Sequence, residues 1–232
     1  MCTVLLRFQP DAEWPLLVAA VRDEFLERPW DPPAAHWPGS PTLIGGRDRT
    51  AGGTWLAARS DRPAVAALLN GVRLPARPDR PTRGTLPLAA LRGELPASFE
   101  GYDAFHLMLG TPTAVTVWSW DGVTVDHRSL DPGDHILVNL GVDTVDDPLV
   151  PHFAPLLAAL PTPDLPDSWG DWPTLLEGDH LDPGDEAALL VRKSIEDKTY
   201  GSSSATLVGL CADTLRYDFT ATPLTPHWAQ VH

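Results

Sequence analysis

Hydrophobic and polar positions alternate over residues 2–8. Cys2, Val4, Leu6 and Phe8 fall on one side; Thr3, Leu5 and Arg7 fall on the other. That two-residue period predicts a strand. Gln-Pro-Asp-Ala-Glu-Trp-Pro (9–15) follows with turn chemistry, and the apolar run 16–21 predicts the antiparallel partner. A turn closing near 10–14 places 21–24 beside Cys2, which brings Arg22 and Asp23 next to it. Further strands are predicted over 53–59, 64–70, 105–109, 114–120 and 135–140, with a closing pair at 205–211 and 215–220. Asp121-Gly122 reads as a hairpin turn. Helices are predicted over 86–92, 149–160, 172–177 and 186–198. Residues 29–42, rich in Pro and Trp, read as an ordered loop, and Gly45-Gly46 and Gly52-Gly53 as turns, with Arg47 and Asp48 pairing locally. A Pro-rich loop over 71–84 carries Arg73, Arg77, Arg80 and Arg83. Strands in hairpins with helices in a separate run predict an α+β fold with antiparallel sheets, in a single domain spanning 1–232.

Composition narrows the partners. A chain of 232 residues, 43 % hydrophobic, has enough apolar content for a real core. Its net charge of −14, with no basic cluster of the nucleic-acid kind, argues against nucleic acid and anionic membrane surfaces. Two cysteines, Cys2 and Cys211, do not make a disulfide framework, and Cys211 reads as packing in an apolar strand. The first apolar run is interrupted by Arg7, so no signal peptide is expected, and no run of 18 apolar residues predicts a transmembrane segment. The expected location is therefore cytoplasmic. The eight histidines lack metal-ligand spacing, so no metal is expected.

The second residue carries the sharpest chemistry. Methionine aminopeptidases remove Met1 before a small residue, which would give Cys2 a thiol and a free α-amine together. The amine can take the thiol proton and the thiolate can attack a carbonyl. Ordinary values are about 7.7–8.0 for the amine and about 8.5 for the thiol, so the transfer is nearly balanced. A small residue after Met1 is also common without any catalytic purpose.

Cys2, Val-Arg-Asp-Glu-Phe (21–25), Arg28-Pro29, Gly-Gly-Arg-Asp (45–48), Gly-Gly-Thr-Trp-Leu (52–56), Asn70 and Thr-Arg-Gly (82–84) occur in an order that resembles the NRDE family, also called the transport-and-Golgi-organisation family. Val138-Asn139, Asp143-Thr144 and Tyr200-Gly201-Ser202 continue the resemblance more weakly. It implies an N-terminal-nucleophile hydrolase-like fold, a four-layer αββα sandwich of two antiparallel sheets. Roles proposed in the family include haem movement and the handling of acyl lipids or acyl-coenzyme A. Within such a fold the cysteine amidases place Arg and Asp beside the nucleophile and two Asn later. The matching residues here are Arg22, Asp23, Asn70 and Asn139. Val21 stands where the family signature opens with Asn, and Ser203 where a late Arg is expected.

In that scheme Cys2 is the nucleophile, Arg22 favours its thiolate, Asp23 holds the α-ammonium, and the Asn70 and Asn139 amides donate to the oxyanion. Simpler readings stand beside each: an Arg22–Asp23 ion pair at a strand end, Asn70 as a turn residue before Gly71, Asn139 as a strand cap. Arg47, Trp55, Arg73 and Arg83 are the candidate ligand-binding residues; the loop arginines suit a carboxylate or phosphate, or simply a solvated loop. Two functions follow. One is a Cys-dependent amidase, thioesterase or acyltransferase acting on a small acyl substrate and needing no cofactor. The other is a non-catalytic carrier of haem or an acyl-coenzyme A, with Trp30, Trp37 and Trp55 lining a cleft. The oligomeric state is not encoded in any pattern here.

Overall fold

The structure is a computed structural model that describes residues 2–71 and 79–231. Arg73 and Arg77 lie outside the described residues. In chain order the elements are β1 (Cys2–Phe8), β2 (Leu16–Phe25), β3 (Trp30–Ala34), β4 (Leu43–Asp48), β5 (Leu56–Arg59), β6 (Ala64–Asn70), α1 (Leu86–Arg92) and β7 (Phe105–Thr111). There follow β8 (Ala114–Trp120), β9 (Val125–Ser129), β10 (Gly133–Val138), β11 (Gly141–Val142), α2 (Leu149–Ala159) and α3 (Trp172–Leu175). The chain closes with β12 (Arg192–Ile195), β13 (Lys198–Leu210), β14 (Leu215–Thr220) and β15 (Ala229–Gln230).

One sheet runs β11-β10-β1-β2-β13-β14-β15, with β12 paired to β13; the other runs β3-β4-β5-β6-β7-β8-β9. Neighbours are antiparallel, and the fold is the expected α+β sandwich. Strand alternation builds its layers. Val4, Leu6 and Phe8 of β1 point between the sheets, where they meet Ala67 and Leu69 of β6 and Met108 of β7. Leu5 of β1 and Leu17, Ala19 and Val21 of β2 point the other way, against Phe153 and Leu157 of α2 and Trp172 of α3. The outer face of the second sheet, with Ala66, Leu68, Phe105 and Leu107, is covered by Leu86, Leu88 and Leu91 around α1. Both faces of β1 are thus buried, and each Leu so placed contributes roughly 1.5–3 kcal/mol.

Arg7 is the charged exception on the helix side of β1. It is 6 % exposed, and its guanidinium forks onto Asp134 of β10 at 2.7 and 3.0 Å. It also donates to the carbonyls of Leu157 and Leu160 at 2.6 and 2.8 Å. One side chain therefore satisfies the Leu160 carbonyl past the C-terminus of α2 and shares the Leu157 carbonyl with Leu160 N, which donates to it at 3.1 Å. Among the described residues no helix is long and apolar enough to cross a membrane.

Several expected elements are corrected. The segment 29–42 is not wholly a loop, because Trp30–Ala34 forms β3 at the sheet edge. Pro32 and Pro33 lack N–H donors and are tolerated there, where the register shifts between Asp31 and Ala34. Gly45 and Gly46 lie inside β4 rather than in a turn. A Cβ on Gly45 would sit 2.5 Å from the Leu56 carbonyl oxygen, and one on Gly46 would sit 2.3 Å from the Trp55 ring. Arg47 pairs across the strands with Asp31 at 2.6 Å, and Asp48 pairs with Arg28 at 2.6 Å, rather than with each other. The helix expected over 186–198 is a hairpin: β12 turns into β13 through Glu196 and Asp197, both left-handed at φ 49° and 63°. Cys211 falls just past β13 and is partly exposed, its thiol 3.5 Å from Asp213 Oδ1.

Candidate functional site

Cys2 opens β1 and is paired in register with Arg22 of β2, as the turn position implies. On its other side β2 pairs with β13, where Asp23 faces Ser202 and Arg22 faces Ser204. Ser203 is the extra residue of a β-bulge between them, and the bulge turns its hydroxyl towards Arg22. Arg22 Nη1 donates to Ser203 Oγ at 2.8 Å, and Ser203 Oγ donates to the Arg22 carbonyl at 3.1 Å. The residue standing where a late Arg was expected thus serves as a bracket for the early one.

Arg22 is buried, with its guanidinium carbon 4.3 Å from the centre of the Trp55 ring. Trp30 packs edge-on to Trp55 at 5.7 Å. Trp55 can approach because Gly46 leaves its place free. Trp37, the third aromatic expected in a cleft, packs instead against the outer core beneath α1. Burial lowers the Arg22 pKa, opposed by the nearby Cys2 and Glu24.

Asp23 is 6 % exposed and accepts from Ser202 Oγ at 2.6 Å. Its carbonyl accepts from Tyr200 Oη at 3.2 Å and faces the Cys2 thiol at 3.9 Å. Burial raises the Asp23 carboxyl to about 6, against the opposing pull of the N-terminal charge, Ser202 and Arg22. Burial also pushes the half-buried Cys2 thiol up; the charge of Asp23 adds to this, while Arg22 pulls the other way. The thiol is therefore held protonated near neutral pH and needs a base to become a nucleophile.

Asn139, just beyond β10, joins the two sheets. Its Oδ1 accepts from the Cys2 backbone nitrogen at 3.2 Å, and its Nδ2 donates to the Asn70 carbonyl at 2.5 Å. Its own carbonyl accepts from His106 Nε2 at 3.2 Å. A carbonyl can only accept, so His106 carries its proton on Nε2 and Nδ1 accepts from Ser119 Oγ at 2.8 Å. Burial lowers the His106 pKa, in keeping with the neutral ring. One of the two Asn139 Nδ2 hydrogens is used on the Asn70 carbonyl, and of the two asparagines it is Asn70, with its exposed side chain, that lines the cleft.

That cleft has a volume of about 320 Å³, and its lining includes Cys2, Arg22, Asp23, Trp55, Asn70 and Arg83. Of the sequence-derived set, Arg47 and Asn139 are not among the lining residues: Arg47 is turned to Asp31, and Asn139 reaches the site only through its bonds to the Cys2 nitrogen and the Asn70 carbonyl. Ser202, Ser203, Glu24, Arg28 and His106 escaped the roles assigned from sequence. Arg28-Pro29 and Tyr200-Gly201-Ser202 were motif fragments, but nothing in the sequence marked His106 as touching Asn139.

The fold and site define an α+β sandwich of two antiparallel sheets whose inner ends meet at a cysteine-centred polar cleft. The family model described as Transport and Golgi organisation 2 matches residues 1–148, and the chain belongs to that family. No curated protein matches the chain significantly.

Proposed function

We propose that the chain is a Cys-dependent N-terminal-nucleophile hydrolase acting as an amidase, thioesterase or acyltransferase on a small acyl substrate. The observation that carries this reading is the convergence on one cleft of Cys2, Arg22, buried Asp23 and Asn70, with Asn139 Oδ1 holding the Cys2 nitrogen at 3.2 Å from outside that lining. Removal of Met1 turns that nitrogen into an α-amine already held beside its thiol. The amine takes the thiol proton, and the sulfur attacks the substrate carbonyl. The tetrahedral oxyanion faces the Asn70 amide. The leaving amine or thiol then departs with the proton held by the α-ammonium. Water, deprotonated by the same amine, attacks the S-acyl carbonyl; the acid leaves and the thiol is restored. Asp23 holds the ammonium, and Arg22 offsets the charge of the sulfur.

The cleft supports this reading over the carrier reading. At about 320 Å³ it lies at the low end of ligand pockets, and its lining is rich in charged groups. Both features suit a small acyl substrate better than a macrocycle or a coenzyme A ester.

The test is mass spectrometry of the purified protein before and after p-nitrophenyl butyrate. The expected result is a mature chain beginning at Cys2 that carries a butyryl group on the Cys2 peptide, with Cys2→Ala folded and unlabelled. A retained Met1, or a butyryl group that spares Cys2, rejects the reading.

A further inference from the structure

The charges lining the cleft do not cancel evenly. Arg28 Nε is paired with Asp48 at 2.6 Å and lies 3.8 Å from Glu24. Arg22 is bracketed by Ser203 and reaches Glu24 at 4.0 Å. Asp23 accepts from Ser202 Oγ at 2.6 Å and lies within reach of the positive charge of the N-terminus. Arg83 is left over. Among the described residues it forms no ion pair, and its one hydrogen bond runs from Nη1 to the Ala104 carbonyl at 2.7 Å. Asp103, whose charge reaches Arg83, is itself bridged to Arg80 at 3.1 Å. An arginine has five N–H donors, so most of this fork is unused.

Arg83 is also fixed from both ends. Thr54 N donates to the Gly84 carbonyl at 2.8 Å, and Thr82 Oγ1 accepts from Gly84 N at 3.3 Å. The turn lies so close to Gly53 that a Cβ there would meet the Gly84 carbonyl carbon at 2.3 Å. A half-buried cation whose backbone and tip are both anchored loses little freedom on binding a ligand.

We infer that Arg83 receives a carboxylate of the substrate, so that the substrate class is a small acyl compound bearing one negative charge. The carboxylate lies against the Arg83 fork and the reactive carbonyl at Cys2. One leftover cation among the described residues matches a monoanion; a phosphate dianion or polyphosphate would meet Asp23, Glu24 and Asp48 in the same small cleft. The acyl-transfer part rests on the proposed function; the anion site does not.

Two measurements keep the parts separate. In the first, Cys2 is alkylated with iodoacetate and with iodoacetamide, and the ratio of the two rates is taken for the parent, Arg83→Gln and Arg83→Lys. The parent ratio is expected to exceed that of free cysteine and to fall about tenfold in Arg83→Gln, the loss of one charge-assisted hydrogen bond. Arg83→Lys keeps the charge and much of the ratio. The second needs no thiol: calorimetric titration of Cys2→Ala with succinamate and with neutral succinamide. Succinamate alone is expected to bind saturably, and Cys2→Ala/Arg83→Gln to lose that binding. If Cys2 resists both reagents while succinamate binds through Arg83, the anion site stands and the acyl-transfer reading falls. Equal binding of succinamate and succinamide, or a rate ratio unchanged in Arg83→Gln, overturns the inference. The comparison of the two titrants on Cys2→Ala holds even if Arg83→Gln fails to fold.

Discussion

Replacing Asp23 by Asn separates what this residue does for the fold from what it does for the site. Its carboxyl is raised by burial from 3.8 to about 6. At ~1.4 kcal/mol for each tenfold change, that rise corresponds to ~3 kcal/mol. The sign follows from proton binding. Between pH 3.8 and about 6 the folded chain holds the Asp23 proton while the unfolded chain releases it. Stability therefore falls as pH rises through this window, and above about pH 6 the whole of the net cost is carried, the part of the burial penalty that the N-terminal charge, Ser202 and Arg22 leave uncompensated. Asn keeps an oxygen for the Ser202 hydroxyl and has no charge to bury. Asp23→Asn is expected to be more stable than the parent at pH 7.5 by up to ~3 kcal/mol, roughly 6–12 °C in Tm for a chain of this size. The gap should shrink to its minimum near pH 4. Urea unfolding of both proteins from pH 4 to 8 reads this directly. A gap that does not change with pH, or a variant less stable than the parent at pH 7.5, refutes the reasoning. The same variant should lose butyryl transfer to Cys2, because the ammonium loses its carboxylate. Stability gained as activity is lost is the pattern expected of a buried charge kept for function.

Two further predictions concern the frame. Arg7→Met leaves the Leu157 and Leu160 carbonyls and Asp134 without their shared cation and should cost ~3–5 kcal/mol in chemical denaturation; a loss below ~1 kcal/mol would show that the Arg7 network is dispensable. The Glu196-Asp197 turn holds two left-handed residues that Asn-Gly adopts more readily, so Glu196→Asn/Asp197→Gly should stabilise by ~1 kcal/mol; an unchanged or lower unfolding midpoint would contradict the turn assignment.

The first hairpin was legible because its signals agreed: alternation over β1, turn residues at 9–15 and an apolar run after them fixed Cys2 opposite Arg22. The edge of the second sheet was hidden by residues that ordinarily break strands. Pro32 and Pro33 are accommodated by an edge position, and Gly45 and Gly46 serve close approach rather than a turn. The β12–β13 hairpin was hidden because Glu196-Asp197 lacks the usual turn glycine and the flanking charged residues favour helix in isolation. Tertiary pairing overrides both local preferences. The bulge at Ser203 was not legible either, because a bulge exists only relative to a partner strand.

The site has the same dependence on pairing. Cys2, Arg22 and Asp23 belong to the first sheet, whereas Trp55, Leu68 and Asn70 come from the second sheet and its β4–β5 connection. At this end Asn139 links the sheets, binding the Cys2 nitrogen with one side-chain atom and the Asn70 carbonyl with the other. His106 fixes its backbone from the second sheet. No contiguous segment contains the cleft, which is why the sequence shows it only as scattered short motifs in a fixed order. The family match over 1–148 spans Cys2, Arg22, Asp23, Asn70, Arg83 and Asn139. Beyond it lie β13, with the Ser202 and Ser203 hydroxyls that bracket Asp23 and Arg22, and the helices α2 and α3 that cover the first sheet. The matched segment thus carries the groups of the proposed acyl transfer and the remainder contacts two of them, so substitutions at Ser202 or Ser203 are expected to reach Cys2 through Asp23 and Arg22.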